Sequence, residues 1–280
     1  MEFCFSVTWN DPAHYVPLAR AADEHGWWGM ACADHIVNPE TTRSTYPYTT
    51  SGQRRWEPFT PWPDPWVSVA AMAAVTERVR FFTTVYILPA RTPFAVAKTV
   101  GTAAVLSGNR VGLGVGMGWM EEEFDAMEQP FPKRGRRADE MIEVIRKLWA
   151  GGWVEHHGQF YDFDRMEMSP APSEQPPIYV GGVSDAALRR AARHDGWISD
   201  MHTTDEFKTI VAKLRRYRKQ AGRAGEPFAV IGSSKDAVDV DGYRRLEEAG
   251  VTHLLTWPWV FYSGKTQDLQ EKLYGVARFS

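Results

Sequence analysis

Short apolar runs alternate with longer stretches of helical spacing along this chain. Apolar or β-branched runs of about four to eight residues read as strands, and apolar residues three and four apart over a longer span read as helices. Phe3 to Thr8 is a first strand, and Pro12 to His25 a helix with Asp11 as N-cap and Gly26 as its stop. Trp28 to Cys32 is a second strand, ending in Ala33-Asp34-His35. A helix opens at Asp64-Pro65 and runs to Glu77. Val79 to Leu88 is the third strand, and Thr92-Pro93 caps a helix reaching Leu106. The fourth strand is Val111 to Trp119, with a helix from Arg134 to Trp149 behind it. Val154 to His157 and Phe160 to Phe163 read as a hairpin. Ile178 to Val180, Gly196 to Ser199, Phe228 to Ile231 and part of Gly250 to Trp257 are strands five to eight. Their helices are Asp185 to His194, Asp205 to Ala221, Val238 to Ala249 and Lys265 to Arg278.

Eight strands, each followed by a helix, imply a parallel sheet with right-handed crossovers, closed into a ring. The predicted fold is α/β, a (β/α)8 barrel in one domain over residues 1–280. It carries a long loop after strand two and a small hairpin after strand four. An open doubly wound sheet fits less well, because no glycine-rich turn follows strand one. The loop, from Ile36 to about Pro63, holds Tyr46, Tyr48, Trp56 and Trp62. Loops of this length are functional or disordered, and its aromatic content argues for a lid or pocket wall.

The fourth strand has its own pattern. Gly112, Gly114, Gly116 and Gly118 alternate with Val111, Leu113, Val115 and Met117. One face therefore carries no side chains, which leaves room for a flat ligand near the backbone or for tight packing inside a barrel.

Composition narrows the classes. Hydrophobic residues make up 44% of the 280 residues, enough for a sizeable core. A net charge of −3 without a basic run disfavours nucleic acid as a partner. Cys4 and Cys32 lie in apparent strands and read as core residues rather than a disulfide or metal site. The N-terminal residues have neither a basic n-region nor a long apolar run, so a cytoplasmic protein without a membrane span is expected. His156 and His157, adjacent in the hairpin, read as surface residues.

Barrel enzymes work at the C-terminal ends of their strands. Those ends hold Trp9, Asp34, His35, Tyr86, the Gly116 to Trp119 segment, Gly181, Gly182, Asp200 and Trp257. The set has one proton carrier in His35, but no serine–histidine–aspartate order and no metal-ligand cluster. Bare glycines beside aromatic walls suit a planar, apolar ligand with few polar anchors.

At this point the chain resembles the luciferase-like monooxygenase superfamily, and within it the branch that uses the deazaflavin coenzyme F420. The matching segments are Ala33-Asp34-His35-Ile36, Glu77 to Phe81 leading into Thr83 to Pro89, and Ala97-Lys98. They continue with Leu106 to Arg110, Gly114 to Trp119 with Glu123-Phe124, and Arg134 to Arg137. Ile178 to Gly182 and Asp195-Gly-Trp197 complete the set. The resemblance implies a TIM barrel and a set of roles. Asp34 and His35 would sit beside the deazaflavin ring, with His35 the candidate catalytic residue. Thr84 and Val85 would form a non-proline cis peptide bulging against the ring. Gly116, Met117 and Gly118 would line the cofactor channel, and Gly181, Gly182, Val183 and Ser184 would hold the phosphate. Trp9, Tyr86, Trp119 and Trp257 are expected to wall the substrate pocket. Trp119 stands where the sugar-phosphate dehydrogenases of the branch carry a proton-donating glutamate, so that chemistry is not expected; Glu123 resembles the family's fixed structural glutamate.

The expected activity is hydride transfer between coenzyme F420 and a small organic substrate that is apolar or contains a ring. One alternative is an FMN-dependent monooxygenase fed by a separate reductase. Another is a barrel that binds either cofactor without catalysis. Family members are often dimers, so a homodimer is expected. F420 continues beyond its phosphate into a carboxylate-rich tail, for which Arg43, Arg54 and Arg55 in the long loop are candidate contacts.

Overall fold

A computed structural model describes residues 1–279. Eight parallel strands form the barrel: β1 (Glu2–Ser6), β2 (Gly29–Cys32), β3 (Arg80–Thr83), β4 (Val111–Gly116), β5 (Ile178–Gly181), β6 (Gly196–His202), β7 (Ala229–Ser234) and β8 (His253–Thr256). Each pairs with its sequence neighbours, and β8 pairs back onto β1 with Glu2 opposite His253, which closes the ring. Outside lie α1 (Tyr15–Glu24), α2 (Pro65–Ala73), α3 (Pro93–Leu106), α4 (Glu121–Ala126), α5 (Arg134–Trp149), α6 (Asp185–Ala191), α7 (Thr204–Gln220) and α8 (Val240–Ala249). Two more, α9 (Val260–Ser263) and α10 (Leu269–Phe279), follow β8. Among the described residues no helix is long and apolar enough to cross a membrane.

The alternation of side chains along each strand produces two apolar layers. Val111, Leu113 and Val115 point outward and join the large core between sheet and helices. A smaller set, including Cys4, Ala31, Phe82, Tyr179, Ile198 and Leu255, fills the barrel. The glycines of β4 face this inner layer. A Cβ at Gly112 would lie 2.8 Å from the Tyr179 ring, and one at Gly114 only 1.9 Å from the Thr83 carbonyl oxygen. The bare face thus makes room for barrel packing, and its upper end, at Gly116, is filled by Val85 where the strand reaches the barrel mouth.

The third strand is interrupted. After Thr83 the chain passes through a cis Thr84–Val85 peptide, and only Tyr86–Ile87 resumes pairing, with Tyr86 opposite Val115. The helix expected to reach Glu77 stops at Ala73, and Arg110 donates to the Ala73 and Thr76 carbonyls at the exposed end. The helix after β1 begins as a 3-10 turn, Pro12–His14, with Asp11 accepting from the Ala13 N–H. In the hairpin the two histidines part company. His157 is exposed and pairs with Asp162, but His156 is buried, 3.4 Å from Glu140 Oε1 and beside Lys147. The surface reading of His156 is corrected: the hairpin folds onto α5, and Glu140 gathers the N–H groups of Gln159, Phe160 and Tyr161 there.

Candidate active site at the mouth of the barrel

A cavity of about 580 Å³ opens at the C-terminal ends of the strands. Its floor is Val85. The side chain projects between two glycines, where a Cβ at Gly116 would lie 2.3 Å and one at Gly181 2.7 Å from its methyl groups. The two glycines are thus the space that Val85 occupies, and the wall around them is apolar. Ile198 and Leu255 continue it, and Ser6, Thr8 and Ser233 contribute hydroxyls.

His35 stands on one side of the cavity, just past β2. Its Nδ1 lies 3.2 Å from Oε2 of Glu123, a fully buried residue at the start of α4. The other Glu123 oxygen accepts the Ile36 N–H at 2.5 Å. A carboxylate only accepts, so Nδ1 carries the ring proton. Nε2 has no hydrogen-bond partner among the described residues and is left as the lone-pair face of a residue that lines the cavity. Aromatic rings enclose the imidazole: Trp62 at 4.8 Å between centroids, Trp56 at 4.9 Å and Trp119 at 6.1 Å. Tyr46 closes the group against Trp119 and Trp56.

Asp34 also lines the cavity, but its carboxylate is spent elsewhere. Arg91 grips it through two bonds of 2.7 and 2.9 Å, and the Ile87 N–H donates at 2.9 Å. Burial pushes the Asp34 carboxyl up from its ordinary value, against the Arg91 charge that favours the ionised form. The pair ties the end of β2 to the segment after the Val85 bulge, so it holds the floor and His35 in register. Arg91 was not anticipated; a cation within a few residues of the β3 break was the available signal.

The opposite end is cationic. Gly181 and Gly182 leave β5, Gly182 at φ +105°, and the Trp197 Nε1–H fixes the Gly182 carbonyl at 2.8 Å. Ser184 caps α6, its Oγ accepting from the Ala187 N–H and keeping its own proton to donate. Arg190, one turn further, is buried and anchored to both oxygens of Asp139 and to the Gly135 carbonyl. Arg134 lines the same cavity and holds the Met117 and Gly118 carbonyls through Nε. Lys133, exposed and in a left-handed conformation, stands at the rim. Backbone N–H groups, a hydroxyl and three cations make a fitting seat for a phosphate ester.

Most predicted residues meet at this cavity: Trp9, Asp34, His35, Thr84, Val85, Gly116, Met117, Gly118, Trp119, Gly181, Gly182, Ser184 and Trp257 all line it. Two do not. Tyr86 is buried outside the barrel, against Trp66 and beneath the Arg91 guanidinium, because the break at Thr84–Val85 resets the alternation of the strand. Val183 points to solvent and is 46% exposed. The tail contacts proposed for the long loop are also displaced. Arg43 pairs with Glu122 and Asp125, and Arg54 bonds the Pro39 carbonyl. Arg55 does reach the cavity, but is held by Asp200 at 2.6 Å. Lys133 and Arg190 were not among the expected site residues, and Arg134, part of the Arg134 to Arg137 segment, was given no role, because the three cations come from two helices without a joint motif.

The luciferase-like monooxygenase family model matches residues 4–272. An uncharacterised protein of Mycobacterium tuberculosis (strain ATCC 25618 / H37Rv) is 43% identical over all of this chain and 98% of its own length. Among solved structures, an F420-dependent secondary alcohol dehydrogenase bound to an F420–acetone adduct superposes with a TM-score of 0.75. It is 16% identical, with 99% of this chain and 96% of that one covered. The FMN-bound oxygenating constituent of 3,6-diketocamphane monooxygenase from Pseudomonas putida gives 0.65 at 19% identity, over 82% and 66% of the chains. From residue 4 to residue 272, then, this chain belongs to the luciferase-like monooxygenase family.

Proposed function

We propose that the protein is an oxidoreductase that uses coenzyme F420 to move a hydride to or from a small organic substrate, apolar or ring-containing. The observation that carries the reading is the asymmetry of the cavity: an apolar, aromatic-walled slot beside His35 and a cationic rim of Lys133, Arg134 and Arg190. FMN ends at its phosphate, for which Arg190, Ser184 and the Gly181–Gly182 turn suffice. F420 continues into a string of carboxylates, and the exposed Lys133 at the rim suits that extension. When bound, the deazaflavin supplies the hydride chemistry itself.

The residues of this chain do the rest. Val85 supports the ring from below, and Asp34 with Arg91 keeps that floor in place. The Trp56, Trp62 and Trp119 rings exclude water beside His35 and leave an apolar compartment for the substrate. His35, with Nδ1 committed to Glu123, holds or accepts a proton at Nε2. With a tryptophan at 119, no carboxylic acid from the end of β4 competes for that role.

The second reading is an FMN-dependent monooxygenase, favoured by the same slot and the same phosphate seat, neither of which needs a tail. Fluorescence titration with each cofactor at one salt concentration separates the two. Coenzyme F420 is expected to bind at about micromolar Kd or tighter, and FMN at least about tenfold more weakly, a gap of about 1.4 kcal/mol. Tighter binding of FMN overturns the F420 reading and favours the monooxygenase. A cofactor that binds well while no substrate reacts would leave a non-catalytic binding protein.

A further inference from the structure

Behind the aromatic wall lies a second cavity of about 560 Å³. It is bounded by Asn10, Asp11 and Pro12 after β1, by Thr60 and Pro61 of the long loop, and by Gln267 before α10. Three residues line both cavities: Trp9, Arg55 and Trp56. The partition between the two spaces is therefore one side chain thick. On its inner side Trp56 touches His35. Across it runs the Arg55–Asp200 pair, which ties the long loop to β6, with the second guanidinium nitrogen on the Tyr48 carbonyl at 2.6 Å. Both charged side chains are about one-third exposed, 34% and 31%, so the pair opens at little cost. Trp9 is held at φ +64°, a backbone region rare for a bulky residue, and its ring is 38% exposed.

Charge is segregated between the two ends. Lys133, Arg134 and Arg190 surround the far end of the first cavity. The second cavity has Asp11 and a neutralised Arg55, with amide, hydroxyl and proline surfaces. An anionic cofactor belongs to the cationic end, and nothing in the second cavity attracts an anion.

We infer that the second cavity is a substrate vestibule: uncharged organic molecules pass from it to the His35 compartment when Arg55 swings off Asp200, while the cofactor stays seated. The assignment rests on the cofactor orientation given under Proposed function. It gives the long loop a specific task, since Arg55 and Trp56 form the door and Thr60 the outer jamb. Substrate is selected by size and lack of negative charge before it meets the ring.

The test measures access to the interior with acrylamide, an uncharged quencher, and iodide, an anionic one. Both are titrated against the emission of bound F420 or FMN and, separately, against the indole emission of the cofactor-free protein. Asp200→Asn, which releases the door but keeps its bulk, is expected to raise the acrylamide quenching constant about two- to fivefold, the change in open population that loss of a partly exposed ion pair produces. Arg55→Ala is expected to raise it further, and adding Thr60→Trp should bring it back towards the wild-type value. Iodide quenching should rise less than acrylamide quenching in each case. Unchanged acrylamide quenching in both single variants overturns the vestibule, as does a Thr60→Trp change that leaves the Arg55→Ala rise intact. An equal or larger rise for iodide overturns the selection against anions. Failure of both cofactors to bind shows in the titration before any quencher is added and counts against the proposed function, while the indole series still decides the vestibule.

Discussion

Glu123 lies beneath His35 with one oxygen 3.2 Å from Nδ1 and the other on the N–H of the next residue, Ile36. One buried carboxylate therefore sets both the tautomer of the ring and the path of the backbone that presents it. If His35 relays the proton, His35→Ala should lower kcat by about 10²–10⁴-fold and leave the cofactor Kd nearly unchanged. Near-normal turnover would reduce His35 to a packing residue. Glu123→Gln keeps the volume but offers an amide that can also donate, so the ring is free to reverse its tautomer. The expected result is a lower kcat with a displaced pH profile, and a loss of stability of about 1–3 kcal/mol for the missing charged acceptor. A stability loss with kcat and pH profile untouched would show that Glu123 serves only the backbone.

The glycines of β4 make a sharper structural prediction. A methyl group at Gly114 would stand 1.9 Å from a backbone oxygen, which no rotamer change relieves. Gly114→Ala should cost about 1–3 kcal/mol or more through overpacking. Gly225→Ala is the control, because a Cβ there meets nothing within 4 Å and the φ is ordinary. Its melting behaviour should stay within about 0.5 kcal/mol of wild type. Equal effects at the two sites, read by denaturant titration, would contradict the packing described for the barrel interior.

The number and order of the strands were readable because each apolar run is bounded by a strong helix signal, such as Asp64-Pro65, Thr92-Pro93 or the Arg134 to Trp149 stripe. Interruptions within a run were not readable from periodicity. Phe81 to Leu88 is β-prone throughout, with adjacent Thr83 and Thr84 that break no pattern, so alternation could not show that the chain turns after Thr83 and sends Tyr86 outward. The bare face of β4 allows a flat ligand or tight barrel packing, and periodicity does not choose between them; packing holds at Gly112, Gly114 and Gly116, which lie against Tyr179, Thr83 and Val85. Strand ends nominated His35, Asp34 and Trp257 because barrel topology places them together. Arg190 and Lys133 were missed because a last-turn helix position and a left-handed N-cap carry no chemical pattern of their own. The long loop was legible as a wall, but which of its arginines points inward depends on Asp200, 145 residues away.

Attachment of that loop should depend on pH through Glu122. Its carboxylate takes the Arg43 N–H, the Ser44 N–H at 3.2 Å and the Ser44 hydroxyl at 2.8 Å. Burial acts to raise its pKa, but these donors outweigh it and bring it down to about 2. A carboxyl depressed in the folded state, against about 4.3 unfolded, stabilises fully above the unfolded value, and the contribution fades as pH falls towards the folded one. The melting-temperature difference between wild type and Glu122→Gln should be flat from neutral pH down to about 5 and shrink between about 4.3 and 2. A difference that does not vary across that window would mean that the loop is anchored by packing alone.

Arg190 decides whether the cationic end is a phosphate seat. Its Nε and one Nη are committed to Asp139 and Gly135, which fixes the guanidinium plane. The other Nη has no hydrogen-bond partner among the described residues, and Arg190 lines the same cavity as Ser184. A pre-positioned charged donor of this kind contributes about 1.5–3 kcal/mol to a phosphate it touches, because little side-chain entropy remains to be lost on binding. Arg190→Lys keeps the charge but loses the fork that Asp139 orients, so it tests geometry; Arg190→Ala removes both. Riboflavin, which has the ring and ribityl chain of FMN without the phosphate, supplies the internal reference. Arg190→Ala should weaken FMN or F420 by about 10- to 100-fold and leave riboflavin affinity within a factor of two to three, about 0.5 kcal/mol, with Arg190→Lys in between. If riboflavin weakens in parallel, the effect lies in the structure of α6 and the Asp139 clamp, and the phosphate must sit elsewhere. If riboflavin holds while the phosphorylated cofactors fall away, the orientation is settled, with the phosphate at α6 and the ring over Val85 beside His35.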